Sequence, residues 1–308
     1  MTLPSLSLPE NFIRCVTGVN GEAGAAWLQR LPALLDECAQ RWSLTLGPPF
    51  ELSYNYAAPA TRADGTKAVL KAGFPGPELR TEIAALRLYN GDGMVRLLEA
   101  VPEQGAFLLE RLEPGTMLAT LTDDEEATTI GAAIMRRLWR PAPADHPFPS
   151  VADWARGMER LRARFGGGTG PFPTAIVEEA ESLFADLLAS TTDPVLLHGD
   201  LHHYNILRAE REPWLAIDPK GIVGDRGYEV GMFLLNPFDF REQPNPQQIM
   251  ERRVYLLAEE LGIERERVRG WGVAQAVLSA WWTVEENGND WESALFCAEL
   301  LSAVKTGP

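Results

Sequence analysis

His198-Gly199-Asp200-Leu201-His202-His203-Tyr204-Asn205, with Asp218 following in Ala216-Ile217-Asp218-Pro219, is the stretch from which the rest of the chain can be read. Taken singly, its polar residues are ordinary. An Asp after Gly is usually a turn residue, and an Asn before a strand is usually a bend or cap. Their spacing and context are not ordinary. Val195-Leu196-Leu197 reads as a short apolar strand entering the loop. Asn205-Ile206-Leu207 begins a second strand and Trp214-Leu215-Ala216-Ile217 forms a third, with a turn at Glu212-Pro213. A tight hairpin between the last two brings Asn205 and Asp218 to the same end. There an amide oxygen and a carboxylate suit a hard cation such as Mg²⁺, which completes its shell with phosphate and water.

Phosphoryl transfer asks for this set: a carboxylate beside the acceptor hydroxyl, and two oxygen ligands holding Mg²⁺ against nucleotide phosphates. The protein-kinase pattern supplies them as an Asp, an Asn five residues on, and a second Asp after a short hairpin. Asp200 is read as the catalytic carboxylate, and Asn205 and Asp218 as the metal ligands.

Upstream, Phe50 to Tyr56 alternates apolar and polar residues as a half-buried strand does. Ala63-Asp64-Gly65-Thr66 makes a turn, and Lys67 to Lys71 a second strand. Ala68-Val69-Leu70-Lys71 has the form of the kinase strand lysine, which touches the α- and β-phosphates. By itself it equally describes a surface lysine at a strand end. A helix follows from Gly76-Pro77 to about Tyr89, stopped by Asn90-Gly91. Glu78 and Glu82 share one of its faces. Glu82, in mid-helix, is the expected partner of Lys71, because an acid in the first turn has its own explanation in the helix dipole. No GxGxxG occurs, so phosphate contact is assigned to Ser53, Asn55 and nearby backbone N–H groups. Strands at Val95–Ala100 and Ala106–Glu110 lead to a hinge, where Glu110 and Leu112 flank the nucleotide base.

An N-terminal helix is expected from Gly21 to about Arg41, on the stripe Leu28, Leu31, Leu35, Cys38 and Trp42, with residues 1–20 irregular and a kink at Pro32. Beyond the hinge the chain turns helical. One helix starts at Thr122-Asp123-Asp124-Glu125, one is capped by Ser150, and one by Thr174. The fold class is α+β and bilobal, like a protein kinase: a small β-rich N-lobe over residues 1–112 and a larger, mainly helical C-lobe over 113–308.

Composition bounds the partners. Against 28 Lys and Arg stand 43 Asp and Glu, a net charge of −15. Such a surface disfavours nucleic acid and draws cations. Acids among the tryptophans near the C-terminus (Glu285, Glu286, Asp290, Glu292 and Glu299) fit a cationic, sugar-like ligand, or equally a solvated helix face over a tryptophan core. The three cysteines form no CxxC pair, the usage of a reducing compartment. The start has no basic signal-peptide region, and no apolar run is long enough for a membrane span. A cytoplasmic enzyme, monomeric or weakly dimeric, is the expectation.

The catalytic loop, Ile217-Asp218-Pro219-Lys220-Gly221, Gly224-Asp225 with Tyr228-Glu229, Gly21 to Leu28 and Val69-Leu70-Lys71 together resemble the aminoglycoside/hydroxyurea antibiotic resistance kinases, over nearly the whole chain. The resemblance implies ATP- and Mg²⁺-dependent phosphorylation of a hydroxyl on streptomycin or a related aminoglycoside. The other acceptors it leaves open are hydroxyurea or an unidentified metabolite. A nucleotide-binding pseudokinase is a third reading, which the intact Asp200, Asn205, Asp218 and Lys71 oppose. By position, Lys71 and Glu82 would hold the phosphates, His198 would brace the loop, and Lys220 would steady transferred charge. Asp225 and Glu229 are carried as substrate contacts.

Overall fold

The computed structural model describes residues 8–237, 239–286 and 289–307. The chain divides into two compact units, Met1–Gly115 and Thr116–Pro308.

The first unit is one sheet and two helices. It runs α1 (Glu10–Arg41), β1 (Leu44–Leu46), β2 (Tyr56–Arg62), β3 (Lys67–Ala72), α2 (Pro77–Tyr89), β4 (Leu97–Val101) and β5 (Ala106–Glu110). The strands order β1-β2-β3-β5-β4, and the pairs β1–β2, β2–β3, β3–β5 and β4–β5 are antiparallel. Side chains alternate between the faces of a sheet, and here the alternation decides the chemistry. Tyr56, Ala58 and Ala60 of β2, Ala68, Leu70 and Ala72 of β3, and Ala106 and Leu108 of β5 join one core with Leu28, Leu31, Leu35 and Cys38 of α1. The odd-numbered residues of β3 therefore face the other way, and Lys71 is one of them.

Helix α1 begins at Glu10, so residues 10–20, expected to be irregular, are helical and place Phe12 and Val16 in the core. The interruption lies at Gly21, with φ 55° and ψ −138°, a conformation that glycine adopts without the clash a Cβ would bring. Pro32 sits within the helix and keeps helical dihedrals. The strand expected over Phe50–Tyr56 is also corrected. Residues 47–55 form the connection from β1 to β2, anchored by buried Leu52, by Asn11 Nδ2 donating to Leu52 O at 3.1 Å, and by Phe50 N donating to Ala57 O at 2.9 Å.

A short strand β6 (Pro114–Met117) precedes the helices of the second unit. These are α3 (Asp124–Leu138), α4 (Val151–Ala155), α5 (Gly157–Arg164) and α6 (Thr174–Ala189). Asp123 caps α3, and a Ser150–Asp153 capping box starts α4. Thr174 proves to be the first residue of α6, with Pro173 in the cap position. Four short strands follow: β7 (Val195–Leu197), β8 (Ile206–Ala209), β9 (Trp214–Ala216) and β10 (Ile222–Gly224). β7 pairs with β10, and β8 with β9, both antiparallel. The chain ends in α7 (Val230–Leu234), α8 (Pro246–Leu261), α9 (Arg265–Glu285) and α10 (Trp291–Ala303). α9 is the axis of this unit and packs on α10, α6 and α7. Trp271 and Trp281 on it are 0% and 2% exposed, so both belong to the core and neither is open to a ligand. Among the described residues no helix is long and apolar enough to cross a membrane.

Candidate active site

In the first unit, Lys71 Nζ donates to Glu82 Oε1 at 2.7 Å. The two side chains are 6% and 8% exposed. β3 is the middle strand of the sheet, which removes water from one side. α2 supplies the carboxylate from the other. Its start is set by Pro77 at the first helical position, and its end by Asn90 in the left-handed conformation. Phe107, the register partner of Lys71 on β5, lies beneath the ammonium at 5.7 Å from the ring centroid. A buried ion pair contributes little net stability, yet leaves a costly lone charge when one member is removed.

In the second unit the hairpin β8–β9 brings the two expected metal ligands to one end. Ile206 pairs with Ala216, and Ile217 N donates to Asn205 O at 2.9 Å. Asp218 follows with φ 60°, strained for a residue with a Cβ. Such strain is found where the surroundings impose it, often at functional sites. Asn205 Nδ2 donates to Asp200 O at 2.9 Å, which fixes the amide and leaves Oδ1 as its remaining oxygen.

His198 holds the two segments together. Its Nε2–H donates to Ile217 O at 2.7 Å, and Asp200 N donates to its Nδ1 at 3.2 Å. Its carbonyl accepts from Lys220 N and Gly221 N. Both ring nitrogens are thus used by the neutral imidazole, and burial pushes its pKa down to about 3. Gly199 has φ 86°, and a Cβ there would stand 2.8 Å from Ile222 Cγ2. Only glycine fits this point.

Beneath the loop lies Glu229, 2% exposed. Its carboxylate accepts from His198 N at 2.7 Å and Gly199 N at 2.9 Å. Burial pushes its pKa up to about 7 against the pull of those N–H groups. Glu229 is in turn held by the Asp225 turn. Asp225 accepts from Trp271 Nε1 at 3.0 Å and Gly227 N at 2.8 Å, and pairs with Arg267. The expectation that Asp225 and Glu229 touch substrate is therefore corrected: their oxygens are used inside the fold, tying the catalytic loop to α9.

The remaining residues fall as follows. Lys220 lies close enough to His198 and His202 for its charge to depress both. Ser53 is exposed in the β1–β2 connection, while Asn55 is half-buried with Oδ1 seated against Gly73. Glu110 Oε1 accepts from Arg96 N at 2.8 Å, and Leu112 is 9% exposed. Glu285 pairs with Arg160 at 2.6 Å and Asp290 with Arg241 at 2.6 Å, so these two acids already hold cations. A cleft of about 490 Å³, bordered by Arg156, Arg162 and Glu181, involves none of these positions.

Sequence reasoning missed His202. Its Nε2 stands 3.7 Å from Asp200 Oδ1 and 3.2 Å from Asn205 Nδ2, between the two chemical groups. Its place inside the Asp200–Asn205 interval was the available signal. Glu229 is named by the sequence as a substrate contact; the signal for its buried role instead was an acid inside Tyr228-Glu229-Val230-Gly231, an otherwise uncharged run.

The sequence profile of the aminoglycoside/hydroxyurea antibiotic resistance kinases matches residues 52–288. Streptomycin 6-kinase of Streptomyces glaucescens is 36% identical over 284 residues, 91% of this chain and 92% of that protein. Hydroxyurea phosphotransferase of Kitasatospora aureofaciens is 34% identical over 288 residues, 91% of this chain and 81% of that protein. Among solved structures, the aminoglycoside phosphotransferase APH(4)-Ia, in a ternary complex with ADP and hygromycin B, superposes with a TM-score of 0.61 at 13% identity. It covers 87% of this chain and 96% of its own. That likeness shows a shared protein-kinase-like fold. The chain belongs to the aminoglycoside/hydroxyurea antibiotic resistance kinases and is a phosphotransferase.

Proposed function

We propose that the protein moves the γ-phosphate of ATP, with Mg²⁺, to a hydroxyl of streptomycin or a closely related aminoglycoside. The observation that carries this reading is the loop itself. Asp200, Asn205 and Asp218 are drawn together by His198 and by the β8–β9 hairpin. In this reading Asp200 accepts or orients the acceptor proton. Asn205 Oδ1 and the Asp218 carboxylate hold the cation, and Lys71, steadied by Glu82, meets the α- and β-phosphates. Two protein oxygens are too few to cage Mg²⁺, which fits a cation shared with nucleotide phosphates and water. Bound there, Mg²⁺ would offset charge on the phosphate oxygens.

Mutation tests each role. Asp200→Asn keeps the shape and removes the base. Turnover is expected to fall by about 10³-fold with nucleotide affinity retained, within the range for positioned acid–base groups. A variant near the wild-type rate would remove Asp200 from the chemistry. Asp218→Ala is expected to abolish the Mg²⁺ dependence of nucleotide binding in a titration. Hydroxyurea is the second acceptor to try, because the hydroxyurea phosphotransferase relative is nearly as similar as the streptomycin kinase.

A further inference from the structure

The turn between Asp200 and Asn205 sorts its side chains. His203 goes inward, 1% exposed, and stacks on Phe233 with ring centroids 3.9 Å apart. Tyr204 goes outward and is 43% exposed, the one exposed aromatic ring among the described residues of the second unit. An exposed ring that only met solvent would need no anchor, yet this one has a firm anchor. Its hydroxyl donates to Pro237 O at 2.6 Å. The preceding carbonyl, Asn236 O, accepts from Arg253 Nη1 at 2.5 Å, and Asn236 Nδ2 donates to Met232 O at 2.9 Å. Arg253 is itself fully buried and bound to Asp124. Tyr204 is thus tied to a fixed post. With the hydroxyl occupied, what it presents is a ring face.

That face stands beside the chemistry. Tyr204 precedes Asn205, its N–H donates to His202 Nδ1 at 3.3 Å, and the two rings meet edge to face at 5.8 Å. His202 in turn lies against Asp200. We propose that Tyr204 is a specificity-determining residue: its pinned ring stacks on an acceptor that carries both a sugar-like ring and a cationic guanidinium group. This rests on the proposed aminoglycoside acceptor and deepens it. A ring–cation contact of this kind is expected to be worth roughly tenfold in affinity, about 1.4 kcal/mol. A small acceptor such as hydroxyurea lacks the area to use the ring.

Steady-state kinetics of wild type, Tyr204→Ala and Tyr204→Phe, with streptomycin, hydroxyurea and Mg·ATP each varied, test this. Tyr204→Ala is expected to raise the KM for streptomycin about tenfold, to change kcat by less than about threefold, and to leave the KM for Mg·ATP in place. Tyr204→Phe, which keeps the ring, is expected to recover most of the streptomycin KM. An unshifted streptomycin KM in Tyr204→Ala overturns the inference. So does a Phe variant as impaired as the Ala variant, or an equal rise in the KM for Mg·ATP, which would mean that the loop had merely loosened. If wild type itself transfers no phosphate to streptomycin, the functional reading fails and this inference with it. Transfer by wild type with an unchanged Ala variant sinks the inference alone.

Discussion

The two units bury charge at their candidate functional positions in opposite ways. In the first, Lys71 and Glu82 neutralise each other, side chain against side chain, at 2.7 Å. In the second, Glu229 has backbone N–H groups as its partners, and the neutral His198 beside it spends its ring on a carbonyl and an amide. An ion pair positions one ammonium. A carboxylate under a loop positions the loop. The lesson is that the same burial serves a point charge in one unit and a backbone shape in the other, so the two should fail differently.

The largest effect is expected at the ion pair. Lys71→Ala leaves Glu82 charged and buried without its lysine, which costs about 3–5 kcal/mol of stability. Turnover should fall with it. The double variant Lys71→Met with Glu82→Met should regain most of that stability in urea unfolding while its turnover stays lost. Recovery of turnover as well would mean that the pair is only structural.

At the loop, Glu229→Gln sets an amide N–H against a backbone N–H. The unpaired donor costs about 1–3 kcal/mol. A loosened loop should lower kcat by about tenfold or more, with a smaller change in the KM for Mg·ATP. If both parameters stay at wild-type values, Glu229 does not position the loop.

The pH dependence separates the groups further. His198 and His203 are depressed by burial to about 3 and about 2, from 6.5 when unfolded. The unfolded chain therefore binds their protons first, and stability present above pH 6.5 is lost as pH falls, about 2 kcal/mol for each at pH 5. Glu229 is raised from 4.5 to about 7, so its contribution has the opposite sign and falls as pH rises through that window. Between pH 7 and pH 5, His203→Phe should lose less stability than wild type, and Glu229→Gln more. His203 suits this test because neither ring nitrogen has a hydrogen-bond partner among the described residues, so a phenyl ring can take its place on Phe233. Parallel pH curves for all three proteins would refute these assignments.

The smallest effect is expected at Lys67 and Glu113. They meet at 2.7 Å, as Lys71 and Glu82 do, but their side chains are 57% and 36% exposed. Solvent screens such a pair, so Lys67→Ala should leave the unfolding midpoint where it was.

The parts of the fold that were legible in the sequence are those set by neighbouring residues. The Lys67–Ala72 strand, the Pro77–Tyr89 helix with its Pro start and Asn stop, and the β8–β9 hairpin are all local arrangements. Misreadings came where distant packing overrides a local signal. Gly18, Asn20 and Gly21 look like the end of order, yet Phe12 and Val16 bind the preceding turns to the sheet. Phe50, Leu52, Tyr54 and Tyr56 alternate with polar residues as one face of a strand would, but Phe50 and Tyr54 are exposed and buried Leu52 anchors a connection that ends where β2 starts at Tyr56. Asp225 and Glu229 carry charge that reads as surface or ligand-binding in one dimension. Only the fold shows Trp271, Arg267 and the loop amides closing over them.

The most direct test is ADP release from Mg·ATP by the purified protein, with and without streptomycin, beside hydroxyurea and other aminoglycosides, with the product weighed by mass spectrometry. The predicted result is release driven by streptomycin, a product carrying one added phosphate, and loss of both in Asp200→Asn. Nucleotide that binds in the presence of Mg²⁺ while no compound stimulates its turnover would contradict the proposed reaction.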